Sequence, residues 1–217
     1  MRVFNKIGFH SSGERKSGVG KWRQAVAEVD VPFFAVVSDS EEELLAAQKL
    51  VKGTAVPHTL VFRLTGNDLN APDYSLEPDK AAAAHWQQHK AAFPDGLDPA
   101  LTWVETLSRL RPSPDRFDWL GKFAFHVGLL AVADGFKWAA FGFAVAEPDA
   151  AFWQTGSVLR YLELCAEHPD QLGVAVHEYS MQQDDIWFMR GDHVGRFEKL
   201  FDACDLNGIE RPPLFIT

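Results

Sequence analysis

The chain has 217 residues, of which 30 are acidic and 21 basic, giving a net charge of −9. Its apolar fraction of 47% can form a large buried core, which excludes an intrinsically disordered chain. The acidity argues against broad binding to nucleic acids or anionic membranes, because phosphates would meet a field of their own sign. Two cysteines are too few for a disulfide framework or a four-cysteine zinc site.

Short apolar runs alternate along the chain with longer amphipathic stretches. The runs are continuously apolar, as in strands covered on both faces, and predict strands at 3–10, 32–39, 58–64, 100–107, 137–146, 172–179 and 212–217. The stretches between them predict six helices, at 20–29, 40–52, 77–93, 113–133, 149–168 and 194–207. Start and stop signals support this division, because Ser40 precedes three glutamates, Pro114 follows Ser113, and Gly208 ends the last helix.

Strict alternation of strands and helices predicts one α/β domain of parallel strands over residues 1–217. Two architectures fit: an open doubly wound sheet, or a (β/α)8 TIM-type barrel that is incomplete at its C-terminus. No G-x-G-x-x-G follows the first strand, and Trp22 stands where a phosphate loop needs Ser or Thr after Lys21. Polar residues instead follow many different strands, which favours a barrel, whose strand ends share one mouth.

Chemically versatile side chains lie at the predicted carboxyl ends of these strands. They are His10, Asp39, Arg63, Glu105, Glu147, His177, Glu178 and Tyr179. In the sharpest group, His177-Glu178-Tyr179, a carboxylate stands between two ring side chains, as in sites where aromatic rings stack on sugars and polar groups bond their hydroxyls. The alternative is a buried glutamate that pairs with Arg or His to close a layer of the barrel.

Glu147 and Glu105 are the other candidate carboxylates. Glu147 either lines the mouth with Glu178, at the ~5–9.5 Å separation of glycosidase carboxyl groups, or stabilises the start of the following helix. Glu105 lies in an apolar strand and requires a partner such as Arg63 or Arg109. It is either a catalytic acid or half of a structural ion pair.

The remaining aromatic, histidine and cysteine residues divide between site and core. His10 bonds either a sugar hydroxyl or a loop carbonyl, and Trp187 is either a stacking residue or part of an exposed lid. Trp86, Trp119, Trp138, Trp153 and both cysteines are expected in the packed parts of the fold. We find no metal-binding or cofactor-binding motif, and therefore predict neither a metal nor a cofactor.

The strand ends together resemble those of a known group of enzymes. The series GFH, PHTLVFRL, LTWVETL, WAAFGFAVAEP, LGVAVHEYS and PPLFIT is similar to the (β/α)8 glycoside hydrolases of clan A. The resemblance implies a retaining mechanism, in which an acid/base glutamate, usually preceded by asparagine, ends strand four. A nucleophilic glutamate then ends strand seven, ~5 Å from the first.

The sequence departs from that pattern at both catalytic positions. The Asn-Glu pair falls at Ser108 and Arg109, and a guanidinium cannot donate a proton. The nucleophile is expected just beyond Thr217. Either Glu105 is the acid, or the barrel binds without hydrolysis. Seven strands also leave two unpaired edges, so we expect a longer gene product, a partner chain or self-association to complete the barrel.

The leading hypothesis is a carbohydrate-active barrel of the glycoside hydrolase type. The catalytic candidates are Glu105, Glu147 and Glu178, and the substrate-binding candidates are His10, Arg63, Arg109, His177, Tyr179 and Trp187. A non-catalytic carbohydrate-binding or assembly module is the alternative, and an enzyme for phosphorylated or small acidic substrates is the third. The absence of a signal-peptide pattern and of an uninterrupted apolar span predicts a cytoplasmic protein without a membrane or nucleic-acid partner.

Overall fold

The computed structural model describes residues 6–12, 18–38, 40–64, 71–106, 113–143, 147–178, 187, 189–191 and 193–217. Within these residues, seven parallel strands form one sheet in chain order. They are β1 (Ile7–Ser12), β2 (Phe33–Ser38), β3 (Thr59–Arg63), β4 (Thr102–Glu105), β5 (Lys137–Phe143), β6 (Leu172–Val176) and β7 (Leu214–Ile216). The predicted alternation of parallel strands and helices is thus confirmed.

Seven helices, not the predicted six, are found in the described part of the chain. They are α1 (Val19–Glu28), α2 (Glu41–Gly53), α3 (Pro78–Ala92), α4 (Pro114–Ala133), α5 (Ala150–Trp153), α6 (Gly156–Glu167) and α7 (Phe197–Asn207). The prediction of one helix at 149–168 was wrong. Thr155 adopts an extended conformation and serves as the N-cap of α6, so that α5 and α6 are separate. At α2 the expected cap is present, since Ser40 Oγ accepts the Glu43 amide at 3.3 Å.

The sheet curls around a small apolar interior. That interior consists of Val36, Val61, Trp103, Ala139, Ala175 and Phe215, with Phe34 packed against them. The rings of Phe34 on β2 and Phe215 on β7 stack with centroids 6.1 Å apart. In a flat sheet these strands would lie about 24 Å apart, since neighbouring strands are spaced by ~4.8 Å. The sheet is therefore a curled half-barrel, and not the open doubly wound alternative.

The helices cover the outer face of the sheet with a large aromatic core. Trp86, Trp138 and Trp153 are each 1% exposed, as predicted. No helix in the described ranges is both long and apolar enough to cross a membrane.

Near its carboxyl end β5 bulges at Phe141, which has a φ of +85°. The Phe141 ring packs against Trp153 and Tyr161, which hold this strained residue in place.

The two edge strands of the described sheet border the same cavity. This cavity has a volume of ≈ 290 Å³. We call it the edge cleft, and its lining residues are Lys6, Gly8, Phe9, His10, Phe34, Val36, Ile216 and Thr217. It lies between β1 and β7, and it therefore corresponds to the two unpaired edges that seven strands predict.

Candidate functional site

Polar side chains from different strands meet at the carboxyl end of the half-barrel. We call this set the mouth cluster, and it consists of His10, Ser38, Arg63, Glu105, His177 and Thr217. The strand register explains part of it, because Ser38, Arg63 and Glu105 are direct neighbours on β2, β3 and β4 and so share the inner face. Four residues that the sequence singles out, His10, Arg63, Glu105 and His177, are thus brought together.

Arg63 and Glu105 form a bidentate ion pair at the base of the cluster. Arg63 Nε donates to Oε2 at 3.1 Å, and Nη2 lies 2.8 Å from Oε1 and 2.7 Å from Oε2. The two side chains are 6% and 0% exposed. Thr217 Oγ1 also donates to Oε1, at 2.9 Å. The sequence predicts Arg63 or Arg109 as a partner of Glu105, and the structure shows Arg63 in this role, with both carboxylate oxygens occupied.

These contacts keep the Glu105 carboxylate ionised. Burial by itself raises the pKa of a carboxyl group, because it disfavours the charged form. The hydrogen bond from His177 and the charge of Arg63 outweigh this effect and lower the pKa of Glu105 below its usual value. A general acid needs a raised pKa, so in this arrangement Glu105 holds Arg63 in place and has no proton to donate.

Two imidazoles cover the ion pair, and their hydrogen bonds follow from the fact that a guanidinium only donates. Arg63 Nη1 lies 3.5 Å from His10 Nδ1, which therefore accepts, so that His10 Nε2–H donates to Ser38 Oγ at 2.7 Å. His177 Nε2 lies 3.2 Å from Arg63 Nη2 and 3.3 Å from Glu105 Oε1. This nitrogen accepts from Arg63 when it carries no proton and donates to Glu105 when it carries one, so it cannot make both hydrogen bonds at once.

The two imidazoles are also the accessible part of the cluster. His10 is exposed, and the His177 side chain is 16% exposed. By contrast, Glu105 beneath them is fully buried. A ligand that enters the mouth therefore meets His10 and His177 before it meets the ion pair.

Glu178 has backbone partners on α7. Its Oε1 accepts the amide of Phe197 and its Oε2 accepts the amide of Gly195, both at 2.7 Å. Because α7 begins at Phe197, the carboxylate satisfies amides at the positive end of the helix dipole. This contact ties the segment after β6 to α7, and it resembles a structural anchor more than a group directed at a ligand.

We expect Glu178→Gln to lower the free energy of unfolding by about 1–2 kcal/mol. The amide keeps only one acceptor oxygen, and it loses the charge that interacts with the helix dipole. Urea unfolding measures the loss, and Glu198→Gln is the matched control, because Glu198 lies in the first turn of the same helix and pairs with Arg190 in solvent. Equal losses in the two variants would show that Glu178 is not an anchor.

The other predicted site residues are partly outside the described residues. Arg109, Tyr179 and Asp39 are outside them. Glu147 is partly buried and follows β5, next to a proline whose carbonyl oxygen accepts a hydrogen bond from Arg196. Trp187 is 73% exposed, and the Arg190 guanidinium lies 5.9 Å from its ring centroid.

Sequence reasoning missed the two hydroxyl residues of the cluster. Ser38 is the last residue of β2, directly before the Asp39 that the sequence singles out, and Thr217 follows β7. Both are hydroxyl residues at strand carboxyl ends, so the signal was present. It was weak, because serine and threonine at such positions also serve as ordinary caps and turn residues.

A second polar group lies behind Glu105, between β4 and α3. Thr106 Oγ1 accepts from Trp138 Nε1 at 2.9 Å and forms a hydrogen bond with His85 Nε2 at 3.1 Å. His89 Nδ1 donates to the His85 carbonyl oxygen at 3.0 Å, and its buried Nε2 has no hydrogen-bond partner among the described residues. Burial lowers the pKa of both imidazoles, that of His89 to about 4. Both histidines are therefore neutral in the fold.

The side chains of the mouth cluster are suited to hydrogen bonding. Among the described residues, no group of His, Cys, Asp or Glu side chains is arranged to hold a metal. The cluster offers a neutralised ion pair, two imidazoles and two hydroxyls.

No protein-family model matches the chain, and comparison with curated proteins and with solved structures finds no similar protein.

Proposed function

We propose that the protein is a carbohydrate-binding barrel of the (β/α)8 type that holds a neutral, hydroxyl-rich ligand over the mouth cluster. The observation that carries the proposal is the buried Arg63–Glu105 pair, whose charges cancel beneath two accessible imidazoles. Sugar hydroxyls both donate and accept hydrogen bonds, as do neutral imidazoles. A phosphorylated or acidic ligand would instead favour a cation without a counter-charge, which makes the third hypothesis the weaker one.

The barrel type is supported by the order and curl of the strands. Seven consecutive parallel strands enclose side chains on one face, and their carboxyl ends carry the polar cluster. In (β/α)8 barrels this end holds the ligand site. The edge cleft then corresponds to the place of an eighth strand. The resemblance to clan A hydrolases points to the same architecture and to a sugar as the ligand.

Binding is better supported than hydrolysis. Hydrolysis needs two carboxyl groups, ~5 Å apart for retention or ~6.5–9.5 Å apart for inversion, and one of them must be protonated. Glu105 is ionised and fully bonded, and Glu178 accepts two backbone amides. We therefore propose binding without turnover as the activity of these residues, and the enzymatic alternative becomes an outcome of the test.

The test is a glycan array, followed by calorimetric titration with the glycan that binds most strongly. We expect binding by the wild-type chain and about fivefold weaker binding by His177→Ala, since one hydrogen bond contributes about 1 kcal/mol. His168→Ala is the matched control, because His168 caps the carboxyl end of α6, before β6 begins. Its affinity should equal that of the wild type.

Turnover is measured in the same samples as the release of reducing sugar. Binding without release supports the proposal. Release that Glu147→Gln or Glu178→Gln abolishes would replace it with a hydrolase. Failure to bind any glycan, or equal binding by His177→Ala and wild type, would remove the mouth cluster from the function.

A further inference from the structure

The edge cleft separates two sheet edges that lack a strand partner in the described sheet. There β1 pairs with β2 alone and β7 pairs with β6 alone. Both edges line the same cavity, β1 through Gly8 and His10, and β7 through Ile216 and Thr217. An unpaired edge is a template for another strand. Because the two edges face one space, a single extended segment placed there would lie beside both of them.

The walls of the cleft are apolar along its middle. Phe9 on β1 and Ile216 on β7 are 49% and 47% exposed, which is high for large apolar side chains. Phe34 and Val36 line the cleft from the inner face of β2. Phe9 lies on the other face of the sheet, where its ring contacts Trp22 of α1. A segment in the cleft would therefore meet apolar side chains on both faces, as a strand in a parallel sheet does.

Lys6 gives the cleft a positive charge at the amino end of β1. Its Nζ donates to Thr59 Oγ1 at 2.6 Å, and no salt bridge to it is found among the described residues. Burial and the nearby charge of Lys137 lower the pKa of Lys6, whereas Lys137 has Asp170 as a counter-charge. A carboxylate beside Lys6 would relieve this repulsion, so the cleft is complementary to an acidic residue at this end.

We propose that the edge cleft binds an extended segment of a partner polypeptide that runs parallel to β1 and β7, is apolar in its middle and carries an acidic residue beside Lys6 near its amino end. A second copy of the chain fits less well. Its described strands are already paired within a sheet, so it can extend one edge but cannot fill the space between two. The seated segment also completes the wall on which His10 and Thr217 lie, which goes beyond glycan binding and does not depend on it.

The experiment uses a displayed library of linear nine-residue peptides, selected on the full chain. Enriched peptides are then synthesised and titrated. We expect them to share an acidic residue near the amino end, followed by apolar residues. Lys6→Glu should weaken their binding at least tenfold, and replacing the acidic residue of the peptide with lysine should restore binding to that variant. Lys21→Glu, at an exposed lysine of α1, is the matched control and should bind like the wild type.

Hydrogen exchange locates the bound peptide. Added peptide should slow the exchange of amides in both β1 and β7. The proposal is overturned if no peptide is enriched, if enriched peptides bind wild type and Lys6→Glu equally, or if protection appears elsewhere. Protection of β1 and β7 that grows with protein concentration in the absence of peptide would assign the cleft to a second copy. Restored binding by the charge-reversed pair excludes misfolding of Lys6→Glu as the cause of the loss.

Discussion

Arg63→Met is expected to lower the free energy of unfolding by about 3–5 kcal/mol, because it leaves a carboxylate buried without its cation. Glu105 is 0% exposed and depends on Arg63 for its bidentate contact. Its remaining partners, Thr217 and His177, supply hydrogen bonds but no permanent charge. Urea unfolding of the single variant, monitored by tryptophan fluorescence, measures the loss.

A double variant separates the buried charge from the volume of the side chains. Arg63→Met combined with Glu105→Leu removes both charges, and it should recover most of the stability that the single variant loses. Arg211→Met is the matched control, because Arg211 pairs with Asp205 at 3.1 and 2.7 Å in the same bidentate manner but with both side chains more than half exposed. We expect little change in its Tm. A single variant as stable as this control would show that the buried pair does not hold the mouth together.

Acidification from pH 6.5 to pH 5 should destabilise the protein through His85 and His89. Both are buried and neutral in the fold, with pKa values below the usual 6.5. Below pH 6.5 the unfolded chain binds protons that the folded chain does not, so stability is complete above this pH and falls as the pH approaches the folded values. His89, with a folded pKa of about 4, contributes a loss of about 2 kcal/mol by pH 5.

The pH dependence is assigned to His89 by comparing His89→Phe with wild type across this window. The variant cannot bind the proton, so its free energy of unfolding should fall less steeply between pH 6.5 and 5. Carboxylates with lowered pKa values, such as Glu105, titrate below the window and affect both proteins alike. Measurement at pH 7.5 shows the cost of the substitution itself. Identical slopes in the two proteins would contradict the role of His89.

The composition of the mouth cluster could largely be predicted from the sequence. Parallel strands end at the same edge of a sheet, so His10, Arg63, Glu105 and His177 converge once the strands are placed. The cost of burying an unpaired carboxylate in an apolar strand predicted a cationic partner for Glu105, with Arg63 and Arg109 as the candidates, and Arg63 is the one found. These inferences needed only local patterns and one rule about parallel sheets.

Other features depend on contacts between residues that are distant in sequence. Glu178 is a polar residue after a strand like any other, and its role as an anchor for α7 becomes visible only when Gly195 and Phe197 approach it. The break between α5 and α6 is similar, since the apolar pattern continues through Thr155 while the backbone there turns extended. Helix propensity does not predict this break in the helix, because packing between residues distant in sequence determines it.

A crystal structure of the chain with its best array glycan would test the account most directly. We expect sugar hydroxyls within hydrogen-bonding distance of His10 and His177, with Glu105 still bonded to Arg63 and the glycan intact. A glycan bound away from these imidazoles, or one cleaved beside a Glu105 released from Arg63, would contradict it.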